Sequence, residues 1–302
     1  MTEAETVSDS HPASDPDEPG LPGRRLRVAC VQLNAGIDIP TNIATASALI
    51  REAAAGGAKL IATPEMTSLM NHAPGALYAS SQTEGEDQAL LAFRALATEL
   101  GVWLLIGSLH IREGEGLCAN RSFLIDSKGA IAARYDKIHR FDVQLSATNV
   151  HRESRDFTAG DKAVVAALPG ARLGMTVCYD VRFPHLHRDL ARAGADILSV
   201  PAAFNSVSGA AHWHVLLRAR AIETGSFVIA PAQCGVHEDG RKTFGHSLIV
   251  SPWGEIIAEA GDAPGVILAD LDLDQVASAR GRIPALHHDM PYALAINAEV
   301  ET

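Results

Sequence analysis

Strand-length apolar runs alternate with helical patterns along the chain, and that alternation restricts the fold to sheets covered by helices. Leu26 to Leu33, Lys59 to Thr63 and Val102 to His110 read as strands. Thr41 to Ala55, ended by Gly56-Gly57, and Glu86 to Leu100 read as the helices between them. The theme returns in the second half, with strands Arg172 to Val177, Asp196 to Val200 and Phe227 to Ala232 and helices Pro184 to Ala193 and Ala211 to Thr224.

Turn signals between these blocks break pure parallel order. Ser127-Lys128-Gly129-Ala130 joins Arg121 to Asp126 with Ile131 to Lys137, and Pro169-Gly170 joins Ala163 to Leu168 with Arg172 to Val177, so the sheets must be mixed. A long loop spans about 138 to 161. Strands at Ser247 to Val250, Ile256 to Ala260 and Val266 to Leu271 and a helix from Asp272 to about Arg280 complete the pattern. No Pro/Ser-rich linker divides the halves. The reading is an α/β fold in one domain over 25–295, with two mixed sheets packed face to face and helices outside.

The formal charge of -11 is unevenly spread. Six carboxylates and no Lys or Arg lie in the first 23 residues, leaving 30 acidic against 25 basic residues and no basic stripe that would suit nucleic acid. Segment 1–24 reads as a disordered acidic tail and 296–302 as a C-terminal tail. There is no secretory signal pattern and no apolar stretch of the roughly 18 residues that a membrane span requires. The four cysteines, Cys30, Cys118, Cys178 and Cys234, form no C-x-x-C pair, which fits reduced thiols in a cytoplasmic protein better than disulfides or a zinc site.

Three reactive side chains stand where strands end, the usual place for functional groups on layered α/β frameworks. Glu65 follows Ile61-Ala62-Thr63-Pro64, where proline ends strand pairing and aims the carboxylate out of the sheet edge. Lys137 closes a strand in Tyr135-Asp136-Lys137-Ile138-His139. Cys178 follows an apolar strand and precedes a helix whose positive end would favour thiolate. An ordinary thiol, with a pKa of about 8.5, is only a few per cent ionised at neutral pH, so a nucleophilic cysteine needs such help. Singly, each is more often a core thiol, a turn carboxylate or a solvated charge. Jointly they offer a nucleophile, a base and a cation for a developing oxyanion.

These residues and their surroundings resemble the nitrilase superfamily of carbon-nitrogen hydrolases, with its Glu-Lys-Cys triad, over about Leu26 to Tyr292. Pro201-Ala202-Ala203-Phe204-Asn205, Ala211-His212-Trp213, Ala232-Gln233-Cys234-Gly235 and Pro252-Trp253-Gly254 resemble most the branch containing deaminated glutathione amidase and omega-amidase. The resemblance implies a four-layer α-β-β-α sandwich, a homodimer or higher homo-oligomer, and no cofactor or metal. It implies Glu153 as a supporting glutamate and the Tyr179 backbone N–H as a second oxyanion donor. His214 departs from it, because an acidic residue commonly follows Ala-His-Trp in that branch.

The function that follows is hydrolysis of a small carboxylate-bearing carboxamide through a thioester on Cys178, releasing an acid and ammonia or an amine. Arg182, Phe204 and Asn205 are the candidate substrate-binding residues. Nitrile or N-carbamoyl hydrolysis by the same triad is the alternative, and a catalytically silent binding protein of the same fold is the alternative of another class. A metal-dependent amidohydrolase would have to use His185-Leu186-His187 or His212-Trp213-His214, but on helices residues two apart point in different directions. Gly245-His246-Ser247 lacks the last glycine of a serine nucleophile elbow. Gly114-x-Gly116-x-x-Ala119 precedes a strand rather than the helix a dinucleotide loop requires.

Overall fold

A computed structural model describes residues 23–71, 73, 75–114, 116–144 and 150–294. The tail read over 1–24, apart from its last two residues, and the tail read over 296–302 lie outside the described residues. In chain order the strands begin with β1 (Arg25–Gln32), β2 (Leu60–Ala62), β3 (Trp103–Arg112), β4 (Cys118–Ile125), β5 (Ile131–Asp136), β6 (Asp142–Gln144), β7 (Val150–Arg152) and β8 (Val164–Leu168). They continue with β9 (Ala171–Met175), β10 (Ile197–Ser199), β11 (Phe227–Ala230), β12 (Cys234–Val236), β13 (Lys242–Phe244), β14 (Leu248–Val250), β15 (Ile256–Glu259) and β16 (Gly265–Asp272). The α-helices are α1 (Ile39–Ala55), α2 (Ala76–Ser80), α3 (Gln88–Leu100), α4 (Pro184–Arg192), α5 (Ser206–Thr224) and α6 (Asp274–Arg282).

One six-stranded sheet has the order β16-β1-β2-β3-β4-β5 and the other β8-β9-β10-β11-β14-β15. In that order both run antiparallel, parallel, parallel, antiparallel, antiparallel. The halves therefore repeat one topology, β1-α1-β2-α3-β3 against β9-α4-β10-α5-β11. In both, the parallel pairs are bridged by helices, as crossover connections demand.

Alternation along the first sheet shows the layers directly. Val28, Cys30, Leu60, Ala62, Leu105 and Leu124 share a buried cluster with the second sheet, whereas Ala29, Val31, Ile61, Leu104, Ile106, Phe123 and Ile125 pack with residues of α1 and α3. Odd and even positions thus serve opposite faces of strands buried on both sides, which is why the runs read as continuously apolar. Leu186, Leu190, Trp213 and Leu217 of α4 and α5 join the cluster of the second sheet. Helices lie outside two facing sheets, as expected from the sequence.

Cap chemistry explains most boundary differences. The Asp38 side chain accepts from Thr41 N–H at 2.9 Å and starts α1, and Asp87 accepts from Leu90 N–H at 2.8 Å, so α3 begins at Gln88 rather than Glu86. Helix α5 starts at Ser206, earlier than the expected Ala211, because Asn205 caps it and Gly209 is needed for packing. A Cβ at Gly209 would stand 2.4 Å from Phe244 of β13. The expected loop over 138–161 instead contains the β6–β7 hairpin and a 3-10 turn, Glu153–Arg155.

Candidate active site

Glu65 lies in the turn after β2. That turn is held by Thr67 N–H to Ser108 O, by Met66 N–H to the Ser108 hydroxyl at 3.0 Å, and by the Gln233 side chain, which donates to the Glu65 and Met66 carbonyls at 3.1 Å each. At Gly107 a Cβ would fall 2.1 Å from Thr63 O and 2.5 Å from the Pro201 ring, so only glycine lets these strand ends converge. Glu65 is 4% exposed, not aimed out of an open edge as the sequence suggests. Lys137 directly follows β5 and is 2% exposed. Cys178 opens a 3-10 turn, Cys178–Arg182, with its N–H bonded to Pro201 O and φ at 49°. Among the described non-glycine residues only Met66, Cys178 and His246 have positive φ, two of them at this site, where local strain tends to collect.

The three side chains meet. Lys137 Nζ donates to Glu65 Oε1 at 2.8 Å, and Glu65 lies within hydrogen-bonding reach of the Cys178 thiol. Glu153 closes the group, taking Lys137 Nζ on both oxygens at 3.0 and 2.9 Å. The second Glu65 oxygen accepts from Ala203 N–H at 2.8 Å.

Burial works against charge on Glu65, but the Lys137 ammonium and hydrogen bonds from Lys137, Cys178 and Ala203 N–H outweigh it and hold the carboxyl below its ordinary range. Burial likewise opposes charge on Lys137, and the fields of Glu153 and Glu65 overcome it, keeping the ammonium well above its usual range. For Cys178, burial and the negative charge of Glu65 act together and exceed the pull of Lys137, raising the thiol well above its ordinary value. The expectation that a helix end favours thiolate is therefore corrected. Helix α4 begins at Pro184, six residues beyond Cys178, while a carboxylate stands next to the sulfur.

Two residues of this constellation went unnoticed in the sequence. Asn120, on β4, donates its amide to Glu65 Oε1 at 2.9 Å and to Glu153 Oε1 at 3.0 Å. Asp180, fully buried, accepts from Val177 N–H at 2.8 Å, Tyr135 Oη at 2.6 Å and His139 N–H at 3.1 Å, and lies 2.7 Å from His139 Nδ1. It ties the cysteine turn to residues two positions before and two positions after Lys137. The available signal was a carboxylate two residues after the thiol; Asn120, followed by Arg121 and Ser122 on the same strand, gave none.

Glu65, Lys137, Glu153, Cys178 and Tyr179 line a cavity of ≈ 720 Å³ together with Phe204 and Asn205. Tyr179 follows the thiol in its turn, with its ring 5.1 Å from Phe141. Phe204 is packed on Trp213 at 5.1 Å between centroids, and Asn205 Oδ1 also caps α5 by accepting from Val207 N–H. Arg182 is not among the lining residues. Its guanidinium lies 5.2 Å from the Phe204 ring and 5.9 Å from that of Tyr179, two lining residues, and is 3.3 Å from His212 Nδ1. The cations that do line the cavity are Lys137, Arg152, Arg155, Arg241 and Lys242. Arg241 is anchored at 2.7 Å by Asp239.

The H-x-H pairs do not converge. His185 packs edge-on to Phe183 and His187 Nδ1 faces Phe183 O, while His212 meets Arg182 and His214 meets Glu259. Strand β3 runs to Arg112 and β4 starts at Cys118, with no helix among the described residues between them, which removes the dinucleotide-loop reading. No helix among the described residues is long and apolar enough to cross a membrane.

Comparison with known proteins gives a consistent picture. The profile of the carbon-nitrogen hydrolase family matches residues 27–281. A human protein named deaminated glutathione amidase is 39% identical over 87% of this chain and 82% of its own. A protein of the same name from Yersinia enterocolitica is 40% identical, over 88% and 93%. The crystal structure of the C. elegans NitFhit protein superimposes with a TM-score of 0.82 at 32% identity, covering 88% of this chain and 65% of that one.

Proposed function

The chain belongs to the carbon-nitrogen hydrolase family, and we propose that it is a cysteine-dependent amidase for a small carboxylate-bearing amide of the deaminated glutathione kind. The observation that carries this reading is the buried contact of Lys137 with Glu65 and Glu153, beside the Cys178 thiol and at the wall of the cavity. It supplies a nucleophile, a base and an oxyanion cation within reach of one carbonyl.

The resting charges suggest the order of events. Glu65 is a carboxylate and Cys178 a neutral thiol, so sulfur attacks the amide carbon as its proton passes to Glu65. Neutralising Glu65 removes one of the two anions holding Lys137. Its ammonium, still tethered by Glu153, is then free to donate to the new oxyanion with the Tyr179 N–H. Glu65 returns the proton to the departing nitrogen, which leaves as ammonia or an amine and forms the thioester. Glu65 next takes a proton from water attacking that thioester; the acid departs and the thiol is reprotonated. Glu153 and Asn120 orient the pair of charges, and Arg241, rather than Arg182, is the cation placed to receive a substrate carboxylate.

The region 25–295 is one hydrolase domain in this reading. Val207, Val215 and Ile222, exposed at 70%, 67% and 55% on one face of α5, suit a homodimer interface. The four free cysteines fit a cytoplasmic location.

Incubation with deaminated glutathione, 2-oxoglutaramate, a simple nitrile and an N-carbamoyl amino acid, with released acid and amine or ammonia quantified, tests the assignment. Turnover of the first two above the others is expected. Preference for the nitrile or the carbamoyl compound would transfer the chain to that alternative, and no turnover of any would favour a silent binding protein.

A further inference from the structure

We propose that His214, His246 and Glu259 form a binding site for one divalent transition-metal ion of the zinc class, outside the catalytic cavity. One ligand atom from each residue lies within 4.8 Å of the other two, and none of the three residues lines the cavity. His214 Nε2 is 3.0 Å and His246 Nδ1 is 2.9 Å from the same oxygen, Glu259 Oε1. Ligands at about 2.0–2.2 Å around a tetrahedral zinc stand roughly 3.3 Å apart, so each imidazole nitrogen needs to open from the Glu259 oxygen by only a few tenths of an ångström, while the two nitrogens, within 4.8 Å of each other, settle to the same spacing. The side chains are 26–36% exposed, which leaves them room to do so and leaves a coordination position facing solvent. Two imidazole nitrogens and one carboxylate oxygen favour zinc, cobalt, nickel or copper over magnesium or calcium.

The environment of His246 suits a metal ligand. Its other nitrogen, Nε2, lies 3.1 Å from Asp262 Oδ1. With a metal on Nδ1, Asp262, itself 90% exposed, becomes the outer carboxylate at Nε2 that orients a ligating imidazole. Phe244 stacks on the ring at 4.5 Å between centroids, and the His246 carbonyl accepts from Trp213 Nε1 at 2.8 Å. Because Trp213 packs on Phe204, a wall of the cavity, metal at this site would stiffen that wall.

The test is titration of the full chain, freed of metal by chelator, with Zn²⁺ followed by calorimetry and with Co²⁺ followed by absorption. One ion per chain is expected, with a cobalt spectrum lacking the near-ultraviolet band of thiolate ligation. The melting midpoint should rise by about 5 °C at a hundredfold excess over Kd. His214→Gln and Glu259→Gln should each weaken binding by about tenfold or more while melting, without metal, close to the parent. No binding at millimolar Zn²⁺, a thiolate band, or unchanged affinity in both variants would overturn the proposal. Loss of binding in Cys178→Ser with retention in His214→Gln would do so as well, since it would locate the ion at the catalytic cysteine.

Discussion

The Tyr135 hydroxyl, two residues before Lys137, donates a 2.6 Å hydrogen bond to Asp180, two residues after Cys178. Asp180 also fixes the cysteine turn through Val177 N–H, so one buried carboxylate links the turn of Cys178 to the strand that leads into Lys137. Burial and the Asp180 charge raise the Tyr135 phenol well above its ordinary value, so it remains a donor throughout the working range. Tyr135→Phe should cost about 1–3 kcal/mol of stability, because a buried acceptor loses a partner. It should also lower kcat by roughly tenfold with KM nearly unchanged. Denaturant melts and steady-state kinetics on one preparation check both, and an unchanged kcat would remove the positioning role.

Glu65→Gln separates two effects of one carboxylate. As the base, Glu65 should be worth about 10²–10⁴ in amide turnover. As an anion beside sulfur, it is the second cause, after burial, of the raised Cys178 thiol. The variant should therefore lose amide hydrolysis and yet react faster than the parent with iodoacetamide at pH 8. Slower alkylation would mean that Glu65 activates the resting thiol instead of suppressing it.

Alkylation of the parent should rise about tenfold per pH unit from 7 to beyond 9 without levelling, since thiolate is the reactive form and the folded thiol ionises well above 9. Mass spectrometry should find the adduct on Cys178, because Cys30, Cys118 and Cys234 are at most 1% exposed and burial raises each of their thiols, that of Cys234 to about 11. A linked effect on stability follows. The unfolded thiol ionises near pH 8.5 and the folded one higher, so its contribution is complete below about pH 8.5 and declines as pH rises toward the folded value. A plateau in the alkylation rate below pH 8 would show a resting thiolate.

How far the sequence disclosed this site follows from what each residue needed. Glu65, Lys137 and Cys178 were visible because strand ends are legible in apolar runs, and Glu153 through resemblance alone. Asn120 and Asp180 were not, because their roles depend on which strands become neighbours: Asn120 reaches Glu65 across 55 positions and Asp180 reaches Tyr135 across 45. The same limitation applies to Arg182, since closeness to Cys178 in sequence does not reveal whether a side chain lines the cavity, and Arg182 instead stands 5.2 Å from the Phe204 ring. The two core sheets were readable from their apolar runs and turn residues, whereas the three-residue strands β6 and β7 are too short to form such a run.

The acid limb of kcat/KM should lie below the ordinary carboxylate range, because Glu65 as the proposed base works ionised, and Lys137 with its hydrogen bonds holds its proton affinity down against burial. Between pH 6 and 8 the profile should be flat. Lys137, raised well above its usual range, should contribute no alkaline limb below pH 10. For stability the sign is that of a depressed acid: the Glu65 contribution is present above about pH 4.3 and is lost as pH falls through the folded value. An acid limb centred at or above pH 6 would contradict this charge state.

Arg241 and Arg182 make opposite claims about where a substrate carboxylate binds, and one pair of variants decides between them. Arg241 lines the cavity, 20% exposed and anchored by Asp239, and burial pulls its pKa down against the opposing field of Asp239, so an incoming anion would meet a cation that has already lost much of its water. Arg182 does not line the cavity and stands against the Phe204 ring beside His212. A charged hydrogen bond of about 1.5–3 kcal/mol corresponds to roughly ten- to a hundredfold in affinity. Arg241→Met should therefore raise KM for a carboxylate-bearing amide by about that factor, leave kcat within about threefold, and leave an uncharged amide of similar size unaffected. Arg182→Met should shift both substrates alike, through looser packing of Phe204 and Tyr179. If Arg182→Met alone discriminated between charged and neutral amides, the carboxylate would have to reach past the Phe204 wall, and the cavity described here would need a second opening on that side.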